Sequence, residues 1–223
     1  MSGPLARSWS DAFADRGFRA RLAVTVPALV LALASLSRFL VHVEARPGVV
    51  LPDPLLALLP PRDLTWVTFG LIYLGLAAGV GWLVFRPRRL LLALQAYVVM
   101  VAFRGLVMWA TPFEAPPGLL PLNDPLVRLF GPASILTKDL FFSGHTATLF
   151  LLALAVTSPR FRALLLAATA AVGAAVLVQH VHYTVDVLAA PFFVYGSWRV
   201  AGLVGTGDGD PGRGFAVRGP AGR

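Results

Sequence analysis

Runs of about twenty apolar residues recur along this chain, and no other feature narrows the possible folds so far. Crossing roughly 30 Å of hydrocarbon takes about 20 apolar residues at about 1.5 Å of helical rise each. Leu22 to Val43, Leu64 to Phe85 and Leu90 to Ala110 meet that length plainly. Three further runs complete the set: Leu140 to Val156 and Ala163 to Val178 are shorter and nearly uncharged, and Val181 to Val204 carries Asp186 and Arg199. The expected fold is all-α, a polytopic bundle of six transmembrane helices over residues 22–204. A cytoplasmic segment at 1–21 would precede it, and a disordered cytoplasmic tail at 205–223, rich in Gly, Asp, Pro and Arg, would follow. With 57% hydrophobic and 13% charged residues and a mean hydropathy of +0.74, the chain holds more apolar surface than one water-soluble domain can hide.

The net charge of +8 would suit nucleic acid if it were gathered on one soluble face. Its distribution points to a membrane instead. With the N-terminus in the cytoplasm, the inner loops and tails sum to +9, through residues such as Arg16, Arg19, Arg21, Arg86, Arg88, Arg89, Arg160 and Arg162. The outer side sums to −1. This is the positive-inside pattern, and it leaves no nucleic-acid footprint to explain. Ala32-Leu33-Ala34 after an Arg-containing start imitates a cleavable signal peptide, but hydrophobicity resumes beyond it. Cys is absent, which excludes disulfides, thiol nucleophiles and thiolate metal sites.

Ionisable groups at membrane depth are costly, so those that persist there are candidates for function. His145 sits in Asp139-Leu140-Phe141-Phe142-Ser143-Gly144-His145-Thr146, at the outer mouth of the fourth helix. His182 and Asp186 sit at the outer mouth of the sixth. Four residues apart, His182 and Asp186 would share one helical face and meet. A carboxylate that accepts from one imidazole nitrogen holds the ring in one tautomer and frees the other lone pair for nucleophilic attack or proton transfer. With His145 at the same depth, the three groups would face a common outer cavity as nucleophile, orienter and general acid. Ser143 and Gly144 would open a helix whose free N–H groups suit an anion, most simply a phosphate.

Other readings of these residues stand beside this one. Asp139 could simply cap the fourth helix, and Ser143 could bond back within its own turn. Zinc would need a four-ligand set, yet His180 and His182, two apart on a helix, turn to nearly opposite faces. Ser143 lacks the Gly-x-Ser-x-Gly setting of a hydrolase nucleophile. A transporter or lipid-binding protein would sooner show internal repeats and helices broken at the midplane, and neither is visible here.

The motifs resemble those of the sphingomyelin synthase branch of the type 2 phosphatidic acid phosphatase superfamily. Asp139-x-x-x-Ser143-Gly144-His145-Thr146 is similar to that branch's third motif, and His182-Tyr183-Thr184-Val185-Asp186-Val187 to its fourth, the most specific match. Leu51-Pro52-Asp53 resembles the first motif, and Phe103-Arg104-Gly105 running to Thr111-Pro112 the second. The likeness extends from about Leu51 to Val200, and a histidine aligned with His180 also occurs in the branch. Thr137 and Lys138 replace a Cys-Gly pair before Asp139, and Phe113 to Pro116 diverges after the second motif.

The resemblance implies a six-helix enzyme with a non-cytoplasmic site. In it His182 takes phosphorus covalently, Asp186 assists, and His145 protonates the leaving hydroxyl. The expected reaction moves a phosphoryl headgroup from a phospholipid to a lipid hydroxyl or to water, and requires neither metal nor other cofactor. Arg104, Lys138 and the Ser143-Gly144 amides would stabilise the phosphoryl oxygens, with Asp139 beside them. The runner-up is a lipid phosphatase acting on phosphatidate or an isoprenyl diphosphate. That branch's Lys-x6-Arg-Pro is absent, Phe142 replaces its proline, and Ala175-Val176 replace a Ser-Arg pair. Losing these cations disfavours a monoester, which carries close to two charges, against a diester, which carries one. Arg outnumbers Lys eighteen to one, a bias expected of a GC-rich bacterium, so the site would face the periplasm from the inner membrane.

Overall fold

The computed structural model describes residues 4–122 and 136–204. The tail expected at 205–223 lies outside the described residues. Eight helices are described: α1 (Pro4–Ala14), α2 (Arg16–Ala45), α3 (Pro54–Ala57), α4 (Thr65–Val84), α5 (Pro87–Ala110), α6 (Gly144–Ala155), α7 (Pro159–Val178) and α8 (Thr184–Val204). Among the described residues there is no strand, only an isolated bridge between Val49 and Phe113. Five helices, α2, α4, α5, α7 and α8, are long and apolar enough to cross a membrane, and α6 is a shorter apolar one. The chain is an all-helical polytopic membrane bundle.

Helix α6 departs from the expected span. It begins at Gly144 rather than Leu140 because the Ser143 side chain accepts the Thr146 N–H and caps it. Its 12 residues reach only about 18 Å at about 1.5 Å each. The shortness is tolerable because α6 is the central helix, packed by α7, α8, α4 and α5. Ala147, Leu149, Ala153 and Ala155 are fully buried. Backbone that is irregular at membrane depth is tolerated where protein, not lipid, surrounds it. The large exposed side chains lie on the outer helices instead, among them Val24, Leu31, Leu74, Leu164 and Phe192, with Trp66 and Trp109 at helix ends.

The start of the chain is helical as well. Residues 4–14 are helical, and the first span begins at Arg16, where Asp15 accepts the Gly17 N–H. Helix α1 packs on α2 and α5 through Trp9 and Ala12 against Phe18 and Leu91, and the Trp9 indole donates to the Val84 carbonyl at 2.8 Å. Arg88 closes the corner on Asp15 at 3.0 Å.

Because the spans alternate in direction, one end of the bundle gathers the C-terminal ends of α2, α5 and α7 with the N-terminal ends of α4, α6 and α8. The segments joining them interlock there. Val49 donates to Pro112 O at 2.8 Å, and Glu114 donates back to Val49 O at 3.0 Å. Arg62 donates to Val178 O at 3.1 Å, and Leu120 to Gln179 O at 3.1 Å. All the residues singled out for chemistry lie at this end.

Candidate active site

The site is assembled where the first turns of α6 and α8 meet. The Ser143 N–H donates to the Asp186 carbonyl at 3.1 Å, which fixes the two helix starts against each other. His182 is not on a helix, contrary to the expected shared face: it stands two residues ahead of α8, in the turn after α7. Its meeting with Asp186 comes from capping geometry instead. Asp186 lies in the first turn of α8, and its Oδ2 accepts the Tyr183 N–H at 3.0 Å, reaching back as the acid of a capping box does. The same oxygen lies 3.3 Å from His182 Nδ1. With Nδ1–H donated to this carboxylate, His182 Nε2 keeps its lone pair. That nitrogen lies 3.4 Å from His145 Nδ1, so the three groups form one chain. His182, Asp186 and Ser143 are fully buried, while His145 is partly exposed.

A cavity of about 200 Å³ opens beside His145. Arg104, Asp139, Gly144, His145 and Thr148 form its polar end, and Leu36, Ile72, Met100 and Val101 with Phe69, Tyr73 and Tyr97 form its walls. The common cavity expected for all three catalytic candidates is thus lined by His145, with His182 and Asp186 behind it. Arg104, on α5, is 7% exposed and its Nη2 donates to Asp139 Oδ1. Gly144 lets the guanidinium lie against the first residue of α6, since a Cβ there would stand 1.9 Å from Arg104 Nη1.

Three expected site residues have different work. Asp139 does not cap α6; it pairs with Arg104 at the cavity. Ser143 is the cap, and its hydroxyl also accepts from Thr146 Oγ1 at 3.2 Å, so it is buried and does not line the cavity. Lys138, expected to touch substrate, turns the other way: its Nζ lies 2.7 Å from Glu114 Oε1 and donates to Arg46 O at 2.9 Å. Glu44 holds the segment from the other side, accepting from the N–H groups of Thr137 and Lys138 and from the Thr137 hydroxyl.

The sequence reading missed a second tier of residues that positions His182. Asp53 caps α3 through Leu56 N and also accepts from Thr184 N at 2.6 Å and Thr184 Oγ1 at 2.9 Å. Burial alone would raise its pKa, but these bonds hold the carboxyl below its ordinary value. The Tyr183 hydroxyl accepts from Leu51 N and donates to Glu114 O. Gln179 ties α7 to α4, accepting from Leu64 N at 3.1 Å and donating to Thr65 Oγ1 at 2.9 Å. His180 adopts a left-handed backbone, φ 55°, and its ring nitrogens lie 2.7 Å from Pro117 O and 2.9 Å from Leu59 O, so it braces loops rather than joining His182. Asp53 and Tyr183 fall inside the first and fourth motifs, a signal that could have marked them; nothing local marked Gln179.

Residues 138–202 match the family model described as PAP2 superfamily C-terminal. The match supports the type 2 phosphatidic acid phosphatase superfamily and suggests a lipid phosphatase or phosphotransferase. It does not single out the sphingomyelin synthase-like branch. No curated protein and no solved structure matches the chain. The matched region contains His145, His182 and Asp186, and begins at Lys138.

Proposed function

We propose that this chain is an integral-membrane lipid phosphotransferase that moves a phosphoryl headgroup from a phospholipid to a lipid hydroxyl or water through a phosphohistidine. One observation carries the reading: the Asp186–His182–His145 chain of contacts at 3.3 and 3.4 Å, ending at a cavity whose polar rim holds Arg104 and Gly144. In the first step His182 Nε2 forms a bond to phosphorus while the bond from phosphorus to the lipid oxygen breaks. His145 gives its proton to that oxygen. In the second step His145 takes the proton of the acceptor hydroxyl, whose oxygen bonds to phosphorus as the P–N bond breaks, and His182 is restored. Arg104 and the amides at the start of α6 face the charge on the phosphoryl oxygens.

Reacting atoms need about 3 Å between them, so a phosphoryl group between the two rings needs roughly 6 Å in all. The 3.4 Å separation is shorter, and His145, at the cavity edge, is the ring that moves aside as substrate enters. The bias of basic residues toward the opposite loops supports a site facing the exterior, the periplasm of a bacterial cell. The test is incubation of detergent-purified protein with headgroup-labelled phospholipids. Acid-labile label on His182, lost with turnover in His182→Ala, is the expected result; a His182→Ala protein that keeps most of the wild-type rate refutes the scheme.

The superfamily match favours a second reading, a lipid phosphatase acting on phosphatidate or an isoprenyl diphosphate. Release of phosphate from a monoester lipid, with no headgroup exchange between lipids, would establish it.

A further inference from the structure

We propose that Asp139 sets the charge of the phosphate this site accepts, favouring a monoanionic phosphodiester over a dianionic phosphomonoester by holding Arg104 already paired. The inference rests on the phosphotransferase reading and adds a specificity-determining residue to it.

Among the described residues that line the cavity, Arg104 carries the one fixed positive charge. It is 7% exposed, and its Nη2 is committed to Asp139. Its buried Nε has no partner among the described residues, so the guanidinium is not saturated by the protein. A guanidinium fork binds an anion through two adjacent donors, and a buried donor left unmade is costly. A phosphate oxygen reaching Arg104 therefore supplies what the protein leaves out, but it arrives beside a carboxylate that lines the same cavity.

Lys138, one residue before Asp139, does not change the balance, because Glu114 and the Arg46 carbonyl hold its ammonium. Arg104 and Asp139 together are neutral, and the proton that His145 carries in the first step is spent on the leaving oxygen. The start of α6, at the cavity, adds partial positive charge on the order of half an elementary charge, while that of α8 is met by Asp186. That suits one negative charge on phosphorus and leaves a second one facing Asp139 uncompensated. Like charges brought together inside a cavity are the usual means by which a site rejects a near relative of its ligand.

The experiment uses two donors that differ by one methyl group and one charge, phosphatidate and phosphatidylmethanol with identical acyl chains, and follows release of diacylglycerol by the full-length protein in detergent. Wild type should favour phosphatidylmethanol in kcat/KM by about tenfold or more, and Asp139→Asn should move the ratio toward phosphatidate by about tenfold. A ratio that stays within about twofold of wild type overturns the proposal. Binding gives a readout independent of turnover. At about pH 8.5, where inorganic phosphate is mostly dianionic and dimethyl phosphate carries one charge, wild type should bind dimethyl phosphate more tightly than inorganic phosphate, and Asp139→Asn or Asp139→Ser should reverse or erase that order. Tighter binding of inorganic phosphate by wild type refutes the charge filter even if no variant folds. Expected binding with no turnover of either lipid and no label on His182 would sink the phosphotransferase reading and leave the filter standing.

Discussion

Gly144→Ala separates the chemistry of the site from the stability of the fold. A Cβ at this position would stand 1.9 Å from Arg104 Nη1 and 2.9 Å from Cζ, where contacts under 3.0 Å force a shift. The obstructing atoms are the far end of a flexible side chain, so the guanidinium retreats by about 1.5 Å, to ordinary contact, and the backbone stays. Alanine in place of glycine in a helix gains about 0.5–1 kcal/mol, and loss of the charge-assisted bond to Asp139 costs about 1.5–3 kcal/mol. The net loss is about 0.5–2.5 kcal/mol, a fall of only a few degrees in Tm. Catalysis should suffer far more, because a displacement of about 1 Å can cost 10²-fold and removal of one donor to a developing oxyanion about 10²–10³. The expected result is kcat/KM lower by roughly 10²–10³ with a nearly unchanged melting transition. Gly48→Ala is the contrasting control: its Cβ would meet backbone atoms of Phe113 and Glu114 at 2.5–2.7 Å, which cannot swing away, so it should lose stability first. A Gly144→Ala protein with more than about half the wild-type kcat/KM would show that the Arg104 position does not matter to the reaction.

Asp186→Asn keeps an oxygen for the Tyr183 N–H but removes the charge that holds His182 in one tautomer, so it should fold and lose about 10²–10⁴ in kcat; an unfolded product by circular dichroism would mean the carboxylate serves the fold first. Lys138→Met should lower stability through the lost contacts to Glu114 and Arg46 O, and leave KM within about twofold, because the ammonium does not line the cavity; a large rise in KM would return Lys138 to the substrate site. The depressed pKa of Asp53 means that its bonds to Thr184 and Leu56 stabilise the folded state fully above the ordinary carboxyl value near 3.9 and lose that effect as pH falls through the lower folded value. Melting curves of wild type and Asp53→Asn should therefore converge as pH drops below about 4, and a constant gap across that range would count against the assignment.

The spans were legible because lipid demands about twenty apolar residues whatever the partner helices are. The same rule placed His145 and His182 at one end, since alternation alone decides the end at which each helix starts. It could not see where α6 begins. Leu140 and Phe142 are as apolar as a helix interior, and only the hydroxyl of Ser143 closing on Thr146 stops the helix there. The spacing of His182 and Asp186 led to the right contact by the wrong route: the acid reaches three residues back to the Tyr183 N–H, which brings the same oxygen to the His182 ring one residue further back. Lys138 misled for a similar reason. Its place beside Asp139 says nothing about which way the side chain turns, and Glu114, 24 positions away in sequence, turns it from the cavity.

The burial of Asp186 is the least expected feature and the one that most needs a cause. A carboxylate with no exposure is costly unless its oxygens are met, and here Oδ2 has Tyr183 N and His182 Nδ1 while Oδ1 has no partner among the described residues. The first turn of α8 supplies some compensation through its dipole. A buried pair of this kind is not a means to stability, since well-packed apolar residues of the same volume would do as well or better. It persists where the partner must at some stage carry charge, and His182 does so if it becomes a phosphohistidine. Replacing both residues together, His182→Leu with Asp186→Leu, should then give an inactive protein whose loss of stability does not exceed the about 1–3 kcal/mol of the Tyr183 N–H left without its acceptor. Asp186 alone left beside a leucine at position 182 should be destabilised by about 3–5 kcal/mol, because it strands an uncompensated charge. If the double substitution instead melts far below either single one, the pair holds the fold together and its burial says nothing about catalysis.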